Sequence, residues 1–160
     1  MKPAKAPVTQ AIRVLRSAKI PFEGHLYDYV DGGGTSDSAR QLDVDEHSVI
    51  KTLIMEDDTK RPMIVLMHGD RQVSTQALAR AIGVKRVSPC DPNVADKHSG
   101  YQVGGTSPFG TRRSMPVYCE QGIAELPRIY INGGKRGYII RLATADAFRI
   151  LQPTLVSMAA

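Results

Sequence analysis

The sequence predicts one α+β domain built around a mixed, mostly antiparallel sheet. Three observations carry that expectation. A long apolar run, Val49 to Met55, is answered by a second, Met63 to Met67, across the polar break Glu56-Asp57-Asp58, which is the pattern of two buried antiparallel strands. Helical patterns with clear start and stop residues stand between strand candidates, as in Ser74 to Gly83 and Asp91 to Gly100. Strands and helices follow one another in irregular order through short links, with no repeat and no linker long enough to divide 160 residues.

Taken in order, residues 1–7 read as a flexible, proline-rich lead. Val8, Ile12 and Leu15 recur at helical spacing with Arg13 and Arg16 turned away, so 8–18 is expected to be an amphipathic helix with a basic outer face. His25 to Val30 reads as a strand, and the Gly32-Gly33-Gly34 loop precedes a short helix that Ser36 is expected to cap and that runs through Leu42. After the two central strands, Ser74 caps a helix ending at Gly83, and Asp91-Pro92 opens another that ends near Gly100. Strands are expected over Met115 to Cys119, Arg128 to Asn132 and Tyr138 to Leu142, the last two joined by a glycine turn over 133–137, with a closing helix from Thr144 to Leu151.

Composition narrows the class of protein. Hydrophobic residues at 42% and charged residues at 23% fit a globular domain and exclude a disordered tail or a fibrous repeat. The net charge of +5 is unevenly spread: residues 1–20 hold five bases and no acids, 21–58 hold ten acids against Arg40 and Lys51, and the rest holds fourteen bases against six acids. That polarity suggests a basic surface for a polyanion such as RNA, although scattered solvated lysines and arginines would give the same totals. Cys90 and Cys119 form no Cys-x-x-Cys pair, and no stretch approaches the ~20 apolar residues of a membrane span. No metal or redox role and a cytoplasmic location are expected.

Most catalytic templates fail. Ser107, in Gly-Thr-Ser-Pro-Phe, lacks the glycine that a nucleophile elbow needs two places later, and Lys135 in Gly-Gly-Lys-Arg-Gly is followed by no Ser or Thr, so the run is not a nucleotide-hydrolase phosphate loop. His25, His47, His68 and His98 are scattered, without metal-ligand spacing or carboxylate neighbours. Lys51 is different. An ammonium among Val49, Ile50, Leu53 and Ile54 costs several kcal/mol unless something compensates it, so either an aligned acid pairs with it or it faces a cleft where it can polarise a substrate carbonyl. Gly104-Gly105-Thr106-Ser107-Pro108-Phe109-Gly110 offers backbone N–H groups that would stabilise an oxyanion in the same cleft, stiffened by Pro108; an ordinary glycine-rich surface turn is the alternative.

Together, Val49-Ile50-Lys51-Thr52-Leu53, Gly100-Tyr101-x-Val103-Gly104-Gly105-Thr106-Ser107-Pro108-Phe109-Gly110 and Tyr130-x-x-Gly133-Gly134-Lys135-Arg136-Gly137 resemble the YbaK family of aminoacyl-tRNA deacylases, relatives of the editing insertion domain of bacterial prolyl-tRNA synthetase. The likeness spans nearly the whole chain and is nearest to the branch acting on Cys-tRNA(Pro). It implies a barrel-like mixed sheet surrounded by helices, and a free-standing editor that removes a wrong amino acid from tRNA, usually tRNA(Pro), with no cofactor. It also implies that Lys51 is the active-site lysine. Tyr27, Thr52 and the 104–108 loop would surround the aminoacyl ester and terminal adenosine, with Asn132, Gly133, Gly134 and Ile139 completing the pocket. In the cysteine branch the substrate thiol attacks its own ester, so the protein need supply only position and oxyanion stabilisation.

Three departures bear on the amino acid rejected. The cysteine branch usually carries a serine where this chain has Asn132 and an aspartate where it has Ile139. It also often has an aromatic residue where this chain has Gly32-Gly33-Gly34. Alanine-, serine- or threonine-charged tRNA is therefore an alternative substrate, and a noncatalytic tRNA- or synthetase-binding module an alternative of another kind. Arg112, Arg113, Lys135 and Arg136 are expected to meet acceptor-end phosphates, with prolyl-tRNA synthetase a natural recruiting partner.

Overall fold

Val49–Asp57 (β2) and Pro62–His68 (β3) form the expected antiparallel pair, in register from Ile50 opposite His68 to Glu56 opposite Pro62. Every residue of β3 is buried, which is why both runs are apolar without alternation. The structure, a computed structural model, describes residues 6–160, so most of the lead expected over 1–7 lies outside the described residues. The remaining strands are β1 (Glu23–Leu26), β4 (Val87–Pro89), β5 (Val117–Glu120), β6 (Arg128–Lys135), β7 (Tyr138–Ala143) and β8 (Thr154–Val156). The sheet runs β1-β7-β6-β2-β3-β5-β8, with β4 added to the far end of β2. Pairings β1–β7, β6–β7, β2–β3 and β2–β4 are antiparallel, and β2–β6, β3–β5 and β5–β8 are parallel, so the sheet is mixed as expected.

Among the described residues five helices cover the sheet: α1 (Gln10–Ser17), α2 (Gly34–Leu42), α3 (Thr75–Ile82), α4 (Pro92–Ser99) and α5 (Thr144–Leu151). Thr9 caps α1 by accepting from the Ile12 amide, and Ser74 caps α3 in the same way. Ala11, Ile12 and Leu15 of α1 are fully buried in the main core with Ile50, Ile54, Leu66, Phe109, Ile131 and Ile140. The opposite face carries two smaller clusters. One joins Met55, Val65 and Met67 to Leu78 of α3 and to Val156 and Met158; the other gathers Ala39, Val49 and Ile139 beside Tyr27 and Tyr130.

Several boundaries differ from expectation for identifiable reasons. The first strand occupies Glu23–Leu26 rather than 25–30, because its partner β7 begins at Tyr138, opposite Leu26. Beyond that point the chain makes one more bond, Tyr27 N–H to the Gly137 carbonyl at 2.9 Å, and leaves the sheet. Ser36 does not cap α2: the helix begins earlier, at Gly34, and Gly33 at its cap makes no side-chain bond. The glycine turn expected over 133–137 is shorter, since β6 continues through Gly133 and Gly134 to Lys135 across an irregularity between Asn132 and Lys135. β4 and β8 were not foreseen; each has three residues, too few to show a period.

Candidate active site

Side chains alternate between the faces of a strand, so the two clusters on the face opposite the main core define what Lys51 meets. Val49 lies in one cluster, Leu53 and Met55 with the other, and Lys51 emerges between them. Val49 pairs with Tyr130 and Ile50 with Ile131 in the parallel β2–β6 ladder, and Lys51 and Asn132 are the residues that follow the last of these pairs on the two strands. Asn132 in turn faces Ile139, Ile139 faces His25, and on the other side Lys51 faces Met67. A transverse row, His25, Ile139, Asn132, Lys51, Met67, therefore crosses five strands on one face. Thr52 belongs to the other face, opposite Leu66, and its buried hydroxyl has no hydrogen-bond partner among the described residues. The structure thus separates Thr52 from Lys51.

Lys51 is half-buried and makes no ion pair among the described residues. Its ammonium donates to the backbone carbonyl of Arg71. Burial pushes its pKa below the ordinary lysine value, while Glu46 and Asp70 pull in the other direction. Of the two readings left open by sequence, no aligned acid among the described residues touches it; two carboxylates act at a distance. Glu46 is held by the Thr35 hydroxyl at 2.8 Å, and Asp70 by His47 Nδ1 at 2.9 Å.

The histidines are not all isolated, contrary to expectation. His47 stacks on His68 with ring centroids 3.7 Å apart and planes 7° from parallel, and His68 Nδ1 lies 2.7 Å from the His47 carbonyl. Distant positions meet because the short turn Glu46–Ser48 leads into β2 where β3 ends. His25 also has a carboxylate, Glu23, at 2.9 Å. Ligand atoms of His47, His68 and Asp70 lie within 4.8 Å of one another, close enough to be tested as a metal site. An ion ~2.1 Å from nitrogens of both stacked rings would lie out of both ring planes, so the arrangement suits a hydrogen-bonded pair better than a metal site.

The 104–110 loop does approach the row, at one end. Asn132 Nδ2 donates to the Gly104 carbonyl at 3.2 Å, while its Oδ1 accepts from the amides of Gly134 (2.7 Å) and Lys135 (3.1 Å). A Cβ on Gly105 would meet the Arg136 nitrogen at 2.5 Å and the Lys135 carbonyl carbon at 2.8 Å, so this glycine exists to let two backbones touch. The amide supply is smaller than the sequence suggested, because Gly105 N–H is bonded to the Gln102 carbonyl and Phe109 N–H to the Ser107 hydroxyl. Ser107 and Phe109 are fully buried, Thr106 nearly so, and Pro108 is buried; Phe109 sits in the main core.

Tyr27 packs by Val49 and Ile139, and burial raises its phenol pKa. It also lines a cavity of about 480 Å³ with Leu26, Gln41, Lys135 and Arg136. Arg112 and Arg113 are held elsewhere by backbone bonds to Ser99 and His98, and Arg113 lines a separate cavity with Arg61 and Tyr118. The four basic residues expected to act together are thus split between two places. Tyr29, Glu46, Asp70 and Arg71 were not anticipated. Arg71 acts through its carbonyl, which leaves no mark in a side-chain pattern.

Residues 32–150 match the family model described as an aminoacyl-tRNA editing domain. EbsC of Enterococcus faecalis, named "Putative Cys-tRNA(Pro)/Cys-tRNA(Cys) deacylase", is 26% identical over 136 residues, covering 84% of this chain and 83% of its own. The "Multifunctional Ser/Thr-tRNA deacylase ProXp-y" of Escherichia coli is 29% identical over 96 residues, 59% of this chain and 58% of that one. A proline–tRNA ligase of Limosilactobacillus reuteri is 25% identical over 121 residues, 72% of this chain but 21% of the ligase. In fold, the chain superposes with a TM-score of 0.82 and 14% identity on a solved structure titled "a putative trans-editing enzyme for prolyl tRNA synthetase", covering 97% of this chain and 99% of that one. Among the described residues no helix is long and apolar enough to cross a membrane. With the family model matching most of its length, the chain belongs to the aminoacyl-tRNA editing domain family.

Proposed function

We propose that this chain cleaves the ester of misacylated tRNA(Pro) in the cytoplasm, with Cys-tRNA(Pro) as substrate and Lys51 as the catalytic cation. The observation that carries the reading is Lys51 itself: half-buried, aimed by a backbone carbonyl and free of any ion pair among the described residues, with Asn132 beside it on the same face. A cation so placed stabilises negative charge that develops on a carbonyl oxygen. The name borne by EbsC supports cysteine as the amino acid.

The substrate supplies the nucleophile. Its thiol sulfur attacks its own carbonyl carbon, the new C–S bond forms, and the bond to the ribose oxygen breaks. The thiol proton ends on that ribose oxygen, releasing a cyclic thiolactone and free tRNA. Lys51 steadies the intermediate oxyanion without exchanging a proton. Tyr27, the Gly104 end of the loop, Asn132, Gly133, Gly134 and Ile139 shape the pocket, and Lys135 meets acceptor-end phosphate. Prolyl-tRNA synthetase is the partner we propose for delivering tRNA, in keeping with the ligase likeness.

A serine or threonine substrate is favoured by one observation, the 29% identity to ProXp-y. There, water or a ribose hydroxyl would replace the thiol. A panel of tRNAs charged with cysteine, alanine, serine, threonine and proline separates the readings. Cysteine alone being released, and only with Lys51 present, is the expected result. Release of Ser-tRNA at a comparable rate removes the thiol mechanism, and binding without turnover of any tRNA removes the enzyme.

A further inference from the structure

What aims Lys51 lies outside its own strand. The Arg71 carbonyl that receives its ammonium belongs to the connection between β3 and α3, residues 69–74. On its inner side Arg71 N–H donates to the His68 carbonyl at 3.1 Å. On its outer side this connection runs antiparallel to residues 158–160: Ser74 N–H donates to the Met158 carbonyl at 2.7 Å, Ala160 N–H donates to the Gln72 carbonyl at 2.8 Å, and Val73 faces Ala159.

Residues 158–160 are in turn held by one side chain. Glu120, at the end of β5, is 6% exposed, and its Oε1 accepts the amides of Met158 at 2.6 Å and Ala159 at 3.1 Å. No ion pair reaches this carboxylate among the described residues. Burying a carboxylate without a cation is costly, and a packed apolar side chain would serve the core better. What a carboxylate alone provides is a strong acceptor that fixes two backbone donors at once.

We infer that Glu120 is a positioning residue for ester cleavage: it fixes residues 158–160, which fix 72–74, which set the Arg71 carbonyl that aims the Lys51 ammonium. The inference rests on Lys51 acting at the ester, as proposed above. The links are hydrogen bonds between named atoms, joined by the covalent backbone from Gln72 to Arg71, and none of the intermediate residues needs to touch the substrate. The row that includes Lys51 is thereby tied to a strip of chain on the far side of β3 and β5.

Three variants test it, with Cys-tRNA(Pro) as the probe. Glu120→Leu removes both acceptor bonds, Glu120→Gln keeps a carbonyl oxygen in their place, and Ala160→Pro deletes the exposed amide that binds the Gln72 carbonyl without disturbing the core. Expected are a kcat loss of about tenfold or more in Glu120→Leu, about threefold in Ala160→Pro, recovery to within about threefold of wild type in Glu120→Gln, and KM within about twofold throughout. The Lys51 ammonium signal in 15N NMR, slow to exchange while hydrogen-bonded, should broaden in step with kcat. Wild-type kcat and an unchanged Lys51 signal in both Glu120→Leu and Ala160→Pro overturn the inference while Lys51→Ala remains inactive. Should Glu120→Leu fail to fold, an unchanged kcat in Ala160→Pro overturns it alone. A fully active Lys51→Ala removes the parent reading and this one with it.

Discussion

The guanidinium of Arg136 lies over the ring of Tyr29, 4.9 Å from its centroid, while its Nε donates to the Val103 carbonyl at 2.9 Å. This one side chain ties the β6–β7 turn to the segment after β1 and to the 103–105 loop. Its charge is already engaged, whereas neighbouring Lys135 is exposed. Lys135→Ala should therefore lower the slope of log affinity for tRNA against log salt by about 0.7 to 0.9, the release expected from one phosphate contact. Arg136→Ala should leave that slope nearly unchanged and instead lower the melting temperature, having lost a contact of about 0.5–2 kcal/mol. Equal slopes in the two variants would contradict this division of labour.

Gly105 offers a sharper test of packing. A methyl group there meets backbone atoms of Lys135 and Arg136, which cannot swing aside. Gly105→Ala should cost about 1–3 kcal/mol in urea unfolding, the range for overpacking a tight contact. Gly104→Ala presses on the movable Tyr29 hydroxyl but must hold φ at +92°, so it too should destabilise, through backbone strain. Unperturbed unfolding of Gly105→Ala would show that the two backbones can separate freely.

Asn132 links three backbone groups at once, the carbonyl of Gly104 and the amides of Gly134 and Lys135. Serine is too short to keep all three. Asn132→Ser should change the ratio of kcat/KM for Cys-tRNA(Pro) over Ser-tRNA or Ala-tRNA by about tenfold or more, the scale of a single lost hydrogen-bonding group. A ratio within twofold of wild type would place amino-acid choice elsewhere, with Ile139 the next residue to vary.

The pH dependence of Lys51 carries two opposite signs. Burial, its leading influence, lowers the folded-state pKa below 10.5, so between those two values the unfolded chain holds more protons and stability rises with pH. The role proposed for Lys51 requires the protonated ammonium, so on that reading the rate above spontaneous hydrolysis should fall as pH climbs through the lowered pKa, before 10.5 is reached. Lys51→Arg, if it retains turnover, should move that alkaline limb out of range because guanidinium stays charged. An alkaline limb at the same pH in both proteins would assign it to another group.

Much of this fold could be read in advance because local chemistry and tertiary role agree. The closing helix occupies Thr144–Leu151 as expected, and Ser74 and Gly83 bound α3. Lys51 stood out as a charge in an apolar run, an anomaly visible without coordinates. The glycines of the 104–110 loop were legible as a need for bare backbone, but whether that backbone donates to a ligand or packs on another strand depends on what arrives opposite. The His47–His68 stack arises from where β3 ends relative to the turn before β2, and no spacing encodes it. The separation of Arg113 from Lys135 likewise belongs to strand order.

The parallel ladder between β2 and β6 sets when this molecule can act as well as where. Lys51 and Asn132 reach adjacent strands only after half of the chain has been threaded between them, and the Arg71 carbonyl gains outer support from residues 158–160. Such distant pairings are slow to form, since loop closure must precede the contacts that reward it. A nascent or half-folded chain therefore carries the lysine but not its surroundings, and ester-cleaving competence would arise in the same cooperative step that completes the domain.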